Sequence, residues 1–351
     1  MKIHILCNDG SPLDKVWTDI FDGGVGGAEM ALLSLSEQFV KDGHEVIIYN
    51  RKGNGTIEQQ GIVFKHLNLY SGGSESEVTI VFRSPNNRID RAKTGRRLWW
   101  STDQFTIGNF GQFANKVQFV VTISPFHTKY HMRTYKIPGD KVAHIDLGVR
   151  AEYDLNEIEK QKNLCIFCSV PSRGLNILYA AWPLIKRDVP DAQLVITSDY
   201  RLWGEPAPGN HYYRLMWADA DDVDFLGKVS RHELVRLQLA SELLVYPCTY
   251  DELFCISVAE CEVAGAYPIT SAFGALPTTN HWGTVISGDP THPQFVTEFV
   301  ARAVSLMTEE RSFLEERQET MANQAEKRFS WVRIAKRWYD LIEDGTIESE
   351  I

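Results

Sequence analysis

A succession of short apolar runs, each bounded by turn residues, constrains this chain more than any other feature. In the first part they are KIHILC, HEVIIYN, EVTIVFR, RRLWWS, VQFVVTIS and KVAHIDLG. In the second they are NLCIFCS, AQLVITS, VDFLG, ELLVYP, AYPITS and GTVIS. Most lack polar alternation, which predicts parallel strands covered on both faces. Helical patterns lie between them. GAEMALLSLSEQFVKDG has apolar residues at helical spacing and Gly43 placed as a stop. RGLNILYAAWPLIKRDVPDA is similar, with Pro183 expected to bend it, and SRHELVRLQLASE opens on a cap running from Ser230 to Glu233. Strand–helix–strand alternation of this kind predicts a parallel α/β fold.

The theme of strand, glycine-containing loop, helix and strand starts twice, at KIHILC and at NLCIFCS. A chain of 351 residues suits two domains at roughly 100–200 residues each. The polar stretch GVRAEYDLNEIEKQKN reads as the linker and puts the boundary near Val149–Asn163. The expected division is a Rossmann-like domain over 1–150, a second over 151–328, and a terminal helix over 329–351. Two doubly wound sheets would face a cleft with their carboxyl ends, where such folds take ligands. The last helix, FSWVRIAKRWYDLIEDG, is amphipathic; from pattern alone it either crosses back to the first domain or packs on its own.

The formal net charge is −10 and no basic run exceeds GRRL, which argues against nucleic acid as a partner. Cys7, Cys165, Cys168, Cys248, Cys255 and Cys261 mostly sit in apolar runs and read as buried reduced thiols. CIFC has CxxC spacing but lies in a strand-like run, with no second Cys/His pair at zinc spacing. MKIHILCNDG is too short for a signal peptide, and no apolar stretch reaches the ~18 residues of a membrane span. A reducing cytoplasm is the expected compartment.

Several stretches bear on chemistry. In DGGVGGAEMALL, Gly23, Gly24, Gly26 and Gly27 precede a helix start that could receive a phosphate, although the spacing is not the dinucleotide fingerprint. A plain glycine loop is the other reading. In CSVPSRGLNIL, Arg173 and Gly174 stand at a helix start, where a cation opposes the dipole unless an anion joins it. In DELFCISVAECEVAGAYP, Glu252 falls in the loop or first turn and Glu260 inside an apolar helix. Glu252 could simply complement the helix dipole; an inward Glu260 needs partners, and sugar hydroxyls would serve. Gly274 in SAFGALPTTN could present backbone N–H groups to the same ligand.

Taken together, these pieces resemble a family 4 glycosyltransferase of the GT-B fold over nearly the whole chain. GGVGGAEMALLSLSEQFVKDGHEV resembles the family's glycine loop and first helix. VTISPFHTKYHMRTYKIPGDKVAHIDLGV resembles its end-of-domain segment, with Asp146 where an Asn-Gly turn is usual. RGLNILYAAWPLIKRDVPDAQLVI resembles its basic-residue–Gly helix. The most specific part runs from VDFLGKVS to AFGALP and carries the Glu-x7-Glu motif as Glu252 and Glu260.

The resemblance implies retaining transfer of a hexosyl group from a nucleotide-diphosphate sugar of UDP or GDP type to an acceptor hydroxyl. It implies no required metal and no other cofactor. Glu260 would hold the ribose hydroxyls. Glu252 and the backbone of Phe254, Cys255 and Ile256 would meet sugar and phosphate. Arg173 stands where the family has a phosphate-binding Lys, and Gly26 and Gly27 would approach the pyrophosphate.

The chain departs from the family in three places. FCSVPS lacks the Arg that often precedes the Lys-Gly, with Lys228 as a substitute. LWWSTDQ offers Thr102 and Asp103 where a His is common; Asp103 is read either as a contact to sugar or acceptor or as a cap. Thr278 follows Pro277 where Glu is usual.

Two alternatives are a nucleotide-sugar-binding protein without transferase activity and a GT-B-like epimerase. The acceptor, a glycan, polysaccharide or small molecule, would meet NDGSPLDKVWTDIFDGG and STDQFTIGNFGQF, whose Trp17, Phe21, Phe105 and Phe110 read as stacking platforms or loop anchors. No basic amphipathic helix argues for membrane docking, and peripheral contact stays open.

Overall fold

The computed structural model describes residues 1–8, 16–18, 23–51, 55–72, 76–93, 95–150, 152, 158–203 and 208–345. The chain divides into two units. The first gathers Met1–Ile20, Val25–Gly148 and Ser330–Ile351; the second gathers Phe21–Gly24 and Val149–Phe329. Much of the linker GVRAEYDLNEIEKQKN lies outside the described residues.

The first unit contains β1 (Lys2–Cys7), β2 (Glu45–Asn50), β3 (Thr56–Gln59), β4 (Ile62–His66), β5 (Val78–Phe82), β6 (Arg96–Trp100), β7 (Phe119–Thr122) and β8 (Val142–His144). Their order in the sheet is β3-β4-β2-β1-β5-β6-β7-β8. All neighbours pair in parallel except β3, which runs antiparallel to β4 with Ile57 opposite Phe64. The sequence reading missed both strands of this hairpin. TIEQ at the sheet edge buries almost nothing, so no apolar run marks it. The expected runs KIHILC and EVTIVF pair directly, Ile3 to Val78 and Ile5 to Ile80. The helix Gly27–Lys41 ends as its Gly43 suggested, with φ of +85° there and the Gly43 N–H donating to Val40 O at 3.0 Å.

The second unit contains β9 (Leu164–Phe167), β10 (Gln193–Ile196), β11 (Val223–Phe225), β12 (Leu243–Tyr246), β13 (Tyr267–Ser271) and β14 (Thr284–Ile286). They form an all-parallel sheet in the order β11-β10-β9-β12-β13-β14. Its core joins Phe167, Trp182, Val245, Tyr246, Ile269 and Phe299. Each such side chain contributes roughly 1.5–3 kcal/mol by leaving water. Pro183 stands within the helix Leu175–Asp188. Ser230 caps the helix Arg231–Ala240, its hydroxyl accepting from the Glu233 N–H at 3.2 Å.

The helix Trp331–Glu343 is grouped with the first unit. Ser330 caps it by accepting from the Arg333 N–H at 3.3 Å. Its buried residues Trp331, Ile334, Ala335, Trp338, Leu341 and Ile342 recur at helical spacing. Trp338 meets the ring of Trp100 at 5.2 Å and of Phe39 at 6.5 Å, both edge-on. The Tyr339 hydroxyl donates to Asp42 at 2.6 Å, and Arg96 Nε donates to the Ile342 carbonyl at 2.9 Å. Gly148 lies against Trp331, where a Cβ would come within 2.5 Å of the indole. Trp338→Ala is expected to cost the first unit about 3–5 kcal/mol, read as a lowered midpoint of its urea unfolding transition.

Candidate functional site

In the second sheet β9 lies between β10 and β12, so successive connections leave it in opposite directions. Loops diverge at such a point and leave a crevice at the carboxyl ends of the strands. The loop after β9 brings Arg173; the loop after β12 brings Glu252. The two meet there, with Arg173 Nη1 donating to Glu252 Oε1 at 2.8 Å and Oε2 at 3.0 Å. The Tyr246 hydroxyl, at the end of β12, donates to Glu252 Oε1 at 2.5 Å. Arg173 also stacks 4.5 Å from the centre of the Tyr250 ring. Burial, the largest single influence, would weaken the Arg173 cation, but Glu252 together with Tyr246, Cys255 and Cys248 outweighs it, and the guanidinium pKa rises above its ordinary value. The Tyr246 phenol is pushed well up, first by burial and then by the Glu252 charge. Glu252 is 4% exposed and lies before the helix Ile256–Val263, so its partners are side chains rather than a helix dipole.

Two glycines make this close approach possible. Gly174 has φ of +113°, and a Cβ there would lie 2.2 Å from the Pro247 carbonyl oxygen. Gly274, after β13, has φ of +59°, and its Cβ would lie 2.2 Å from the Glu252 carbonyl oxygen. That carbonyl accepts from the Ala275 N–H at 2.7 Å. Hydroxyls lace the loops further: Ser257 donates to Cys168 O at 2.8 Å and Ser271 to Cys248 O at 2.6 Å. Cys255 adopts a left-handed φ of 74° immediately before the helix Ile256–Val263, which has no side-chain cap. A side chain in that region stores on the order of 1 kcal/mol of strain. Phe254 is buried against Phe329, with ring centroids 5.8 Å apart.

Glu260 lies inside this helix and is buried. Its Oε1 accepts from Arg231 Nη1 at 2.6 Å and its Oε2 from Gln238 Nε2 at 3.3 Å. Arg231 reaches a second carboxylate through Nε, which donates to Glu152 at 2.9 Å. Glu262, two residues on, has a different environment. One oxygen accepts from the Trp282 N–H at 3.2 Å; the other is buried without a hydrogen-bond partner. Burial raises its pKa to about 8, against the weaker pull of the Trp282 N–H and the Arg328 charge.

Lys228 follows Gly227 beyond β11, and its backbone N–H donates to Asp199 at 3.1 Å. A Cβ on Gly23 would lie 3.9 Å from the Lys228 Nζ, and one on Gly24 would lie 2.5 Å from the Val229 carbonyl oxygen. Thr278 turns inward to the Ala275 carbonyl at 2.8 Å.

In the first unit Gly26 and Gly27 open the helix Gly27–Lys41 with no side-chain cap. The Asp103 carboxylate pairs with Arg83, which also lies 3.8 Å from the buried Glu29. The next helix is capped by Asn109, so the expectation of Asp103 as a cap is corrected: its carboxylate faces a cation instead. Arg83 itself has φ of 64°. Phe105 is 68% exposed while Phe110 is 2% exposed and Trp17 is buried, so Phe110 and Trp17 are anchors and Phe105 is presented. Phe21 lies outside the described residues. Among the described residues no cluster of three or more His, Cys, Asp or Glu side chains could hold a metal ion.

The structure therefore joins Arg173, Gly174, Glu252 and Gly274, and places Phe254, Cys255, Ile256 and Glu260 on the adjoining turn and helix. Sequence reasoning missed Tyr246, Arg231, Gln238 and Glu262. Arg231 carried one signal: a cation at a helix start, where the dipole opposes it.

Residues 154–328 match the family model of glycosyl transferases group 1. No curated protein matches the chain. A glycosyltransferase from Rickettsia africae ESF-5 is 16% identical and superposes with a TM-score of 0.76 over 98% of both chains. Sucrose-phosphate synthase from Thermosynechococcus elongatus is 15% identical, with a TM-score of 0.73 over 98% of both. HepE from Anabaena, solved with UDP-glucose, is 16% identical, with a TM-score of 0.72 over 98% of this chain and 100% of that one. At such identities the likeness establishes the fold: two parallel-sheet α/β units of the GT-B type.

The Glu262 carboxyl carries a sign-definite pH dependence. Its folded pKa is raised from 4.5 to about 8, so its contribution is fully present below about pH 4.5 and is lost as pH climbs to about 8. The slope is at most about 1.4 kcal/mol per pH unit. Glu262→Gln is expected to lose less stability than the parent between pH 5 and pH 8, measured by urea unfolding at both.

Proposed function

We propose that this chain, whose residues 154–328 match the family model of glycosyl transferases group 1, is a retaining, family 4 glycosyltransferase that uses a nucleotide-diphosphate sugar. The observation that carries the reading is the Arg173–Glu252 pair at the switch point of the second sheet, with Glu260 just over one turn into the helix that follows. HepE, solved with UDP-glucose, supports UDP as the first donor nucleotide to try, with GDP next.

In this reading Glu260 accepts the ribose hydroxyls and Glu252 accepts hydroxyls of the sugar ring. An ionised carboxylate offers about four acceptor sites, so Glu252 has capacity beyond Arg173 and Tyr246. The uncapped N–H groups at Cys255 and Ile256, together with Arg173 and Lys228, face the diphosphate. Gly274 keeps the backbone close to the sugar. In the first unit Gly26 and Gly27 open an uncapped helix start of the kind that receives a phosphate, and Asp103 is proposed as a sugar or acceptor contact.

The acceptor oxygen attacks the anomeric carbon on the face the nucleotide leaves. The carbon–oxygen bond to phosphate breaks, its electron pair departs with the nucleoside diphosphate, and a leaving phosphate oxygen takes the acceptor proton. The site residues then have no nucleophile to supply; they stabilise the departing charge, and no metal or further cofactor is required. The acceptor is a glycan or small molecule, and the cytoplasm is the proposed compartment. Among the described residues no helix is long and apolar enough to cross a membrane.

Donor turnover tests this. Arg173→Ala is expected to lower kcat by about 10²–10³, and Glu252→Ala and Glu260→Ala to lose donor turnover or donor binding. Wild-type turnover and binding in both glutamate variants would sink the assignment. Thermal shifts with UDP, GDP, ADP and dTDP fix the donor class; a nucleotide at 100 times its Kd stabilises by about 2.7 kcal/mol.

A further inference from the structure

Arg231 sits at the first position of the helix Arg231–Ala240, where the dipole disfavours a cation, and it is only 4% exposed. A buried guanidinium needs carboxylates, and Arg231 has two. Its Nε donates to Glu152 at 2.9 Å and its Nη1 to Glu260 at 2.6 Å. Glu152 is in turn paired with Arg150. Burial would raise the Glu152 pKa, but Arg231 and Arg150 together bring it below its ordinary value. Arg231 is thus fixed from one side and aimed at Glu260 from the other.

The second donor to Glu260 comes from the same helix. Gln238 lies two turns further along, so its side chain shares the Arg231 face, and its Nε2 meets Glu260 Oε2 at 3.3 Å. Each Glu260 oxygen therefore has one protein donor. A carboxylate oxygen has two lone pairs, which leaves one acceptor site on each oxygen. Two adjacent acceptor sites held in one plane suit a vicinal diol.

We infer that Arg231, with Gln238, is a positioning residue that orients Glu260 toward both ribose hydroxyls and so sets the discrimination of ribonucleotides from 2′-deoxyribonucleotides. The inference rests on the proposed donor site and adds to it the residue that shapes the ribose end. Without Arg231 the Glu260 carboxylate loses its shortest anchor and turns, and its two remaining acceptor sites no longer match the diol. Removal of one ribose hydroxyl then matters less, because the paired geometry is already gone.

The test is calorimetric titration of the unaltered protein and its variants with UDP and 2′-deoxy-UDP, or with the guanosine pair if GDP gives the larger thermal shift. The unaltered protein is expected to prefer the ribonucleotide by about 10- to 100-fold, the loss of one buried hydrogen bond. Arg231→Lys keeps the charge but loses the two-armed geometry, and its preference is expected to fall below about 3-fold. Gln238→Leu, which leaves the ion pair intact, provides a second variant should Arg231→Lys not fold; its preference is expected to drop several-fold.

A merely structural role lowers the unfolding midpoint and leaves the ratio unchanged. A folded variant with the full wild-type ratio overturns the inference while the donor site stands. No nucleoside diphosphate binding by the unaltered protein overturns the donor reading and this inference with it.

Discussion

A parallel sheet covered by helices on both faces has nowhere to put charge except its edges and ends, and the second unit is organised around that constraint. One group of its buried charges meets where the loops leave the carboxyl ends of β9 and β12. There the ion pair of Arg173 and Glu252 joins the two sides of the switch point. Either charge alone would be costly at that depth, on the order of 3–5 kcal/mol for a buried pair broken on one side. The pair also dictates its surroundings. Gly174 and Gly274 leave space for the loops to close on it, and Tyr246 brings a hydroxyl to the remaining face of Glu252.

The same rule sorts three glutamates that stand close together in sequence. Glu252 and Glu260 each meet an arginine from a different element. Glu262 meets one backbone N–H and has an oxygen with no partner, so its carboxyl is pushed up to about 8. Burial is common to all three; what differs is the partner that each carboxyl meets.

In the first unit the corresponding loops also carry charge. Arg83, left-handed at the end of β5, is pinned by the Trp99 indole at its carbonyl and stands between Glu29 and Asp103. The position read as a sugar contact or a cap is thus part of an ion cluster, and the adjoining Phe105 is presented to solvent while Phe110 anchors the loop beneath it.

Most of the strands were legible because a strand buried on both faces must be apolar throughout; Ile3, Ile5 and Leu6, or Leu243 to Tyr246, can be read without coordinates. The helix ends at Gly43 and Ser230 were legible for a similar reason, since a cap is a local hydrogen bond. The edge strand β3 was not, because a strand with its side chains in water carries no apolar signature; β4 beside it does bury Ile62 and Phe64, but its apolar run is only three residues long. Alone, the sequence determined the fold class and named Glu252, Glu260 and Arg173, whose residue types are unusual in their local apolar settings. Only the tertiary structure decided what those residues face. Arg173 and Glu252 are separated by 79 positions, Arg231 and Glu260 by 29, and Gln238 and Glu260 by 22. Pairing across such distances is set by strand order and loop closure, which no local pattern encodes.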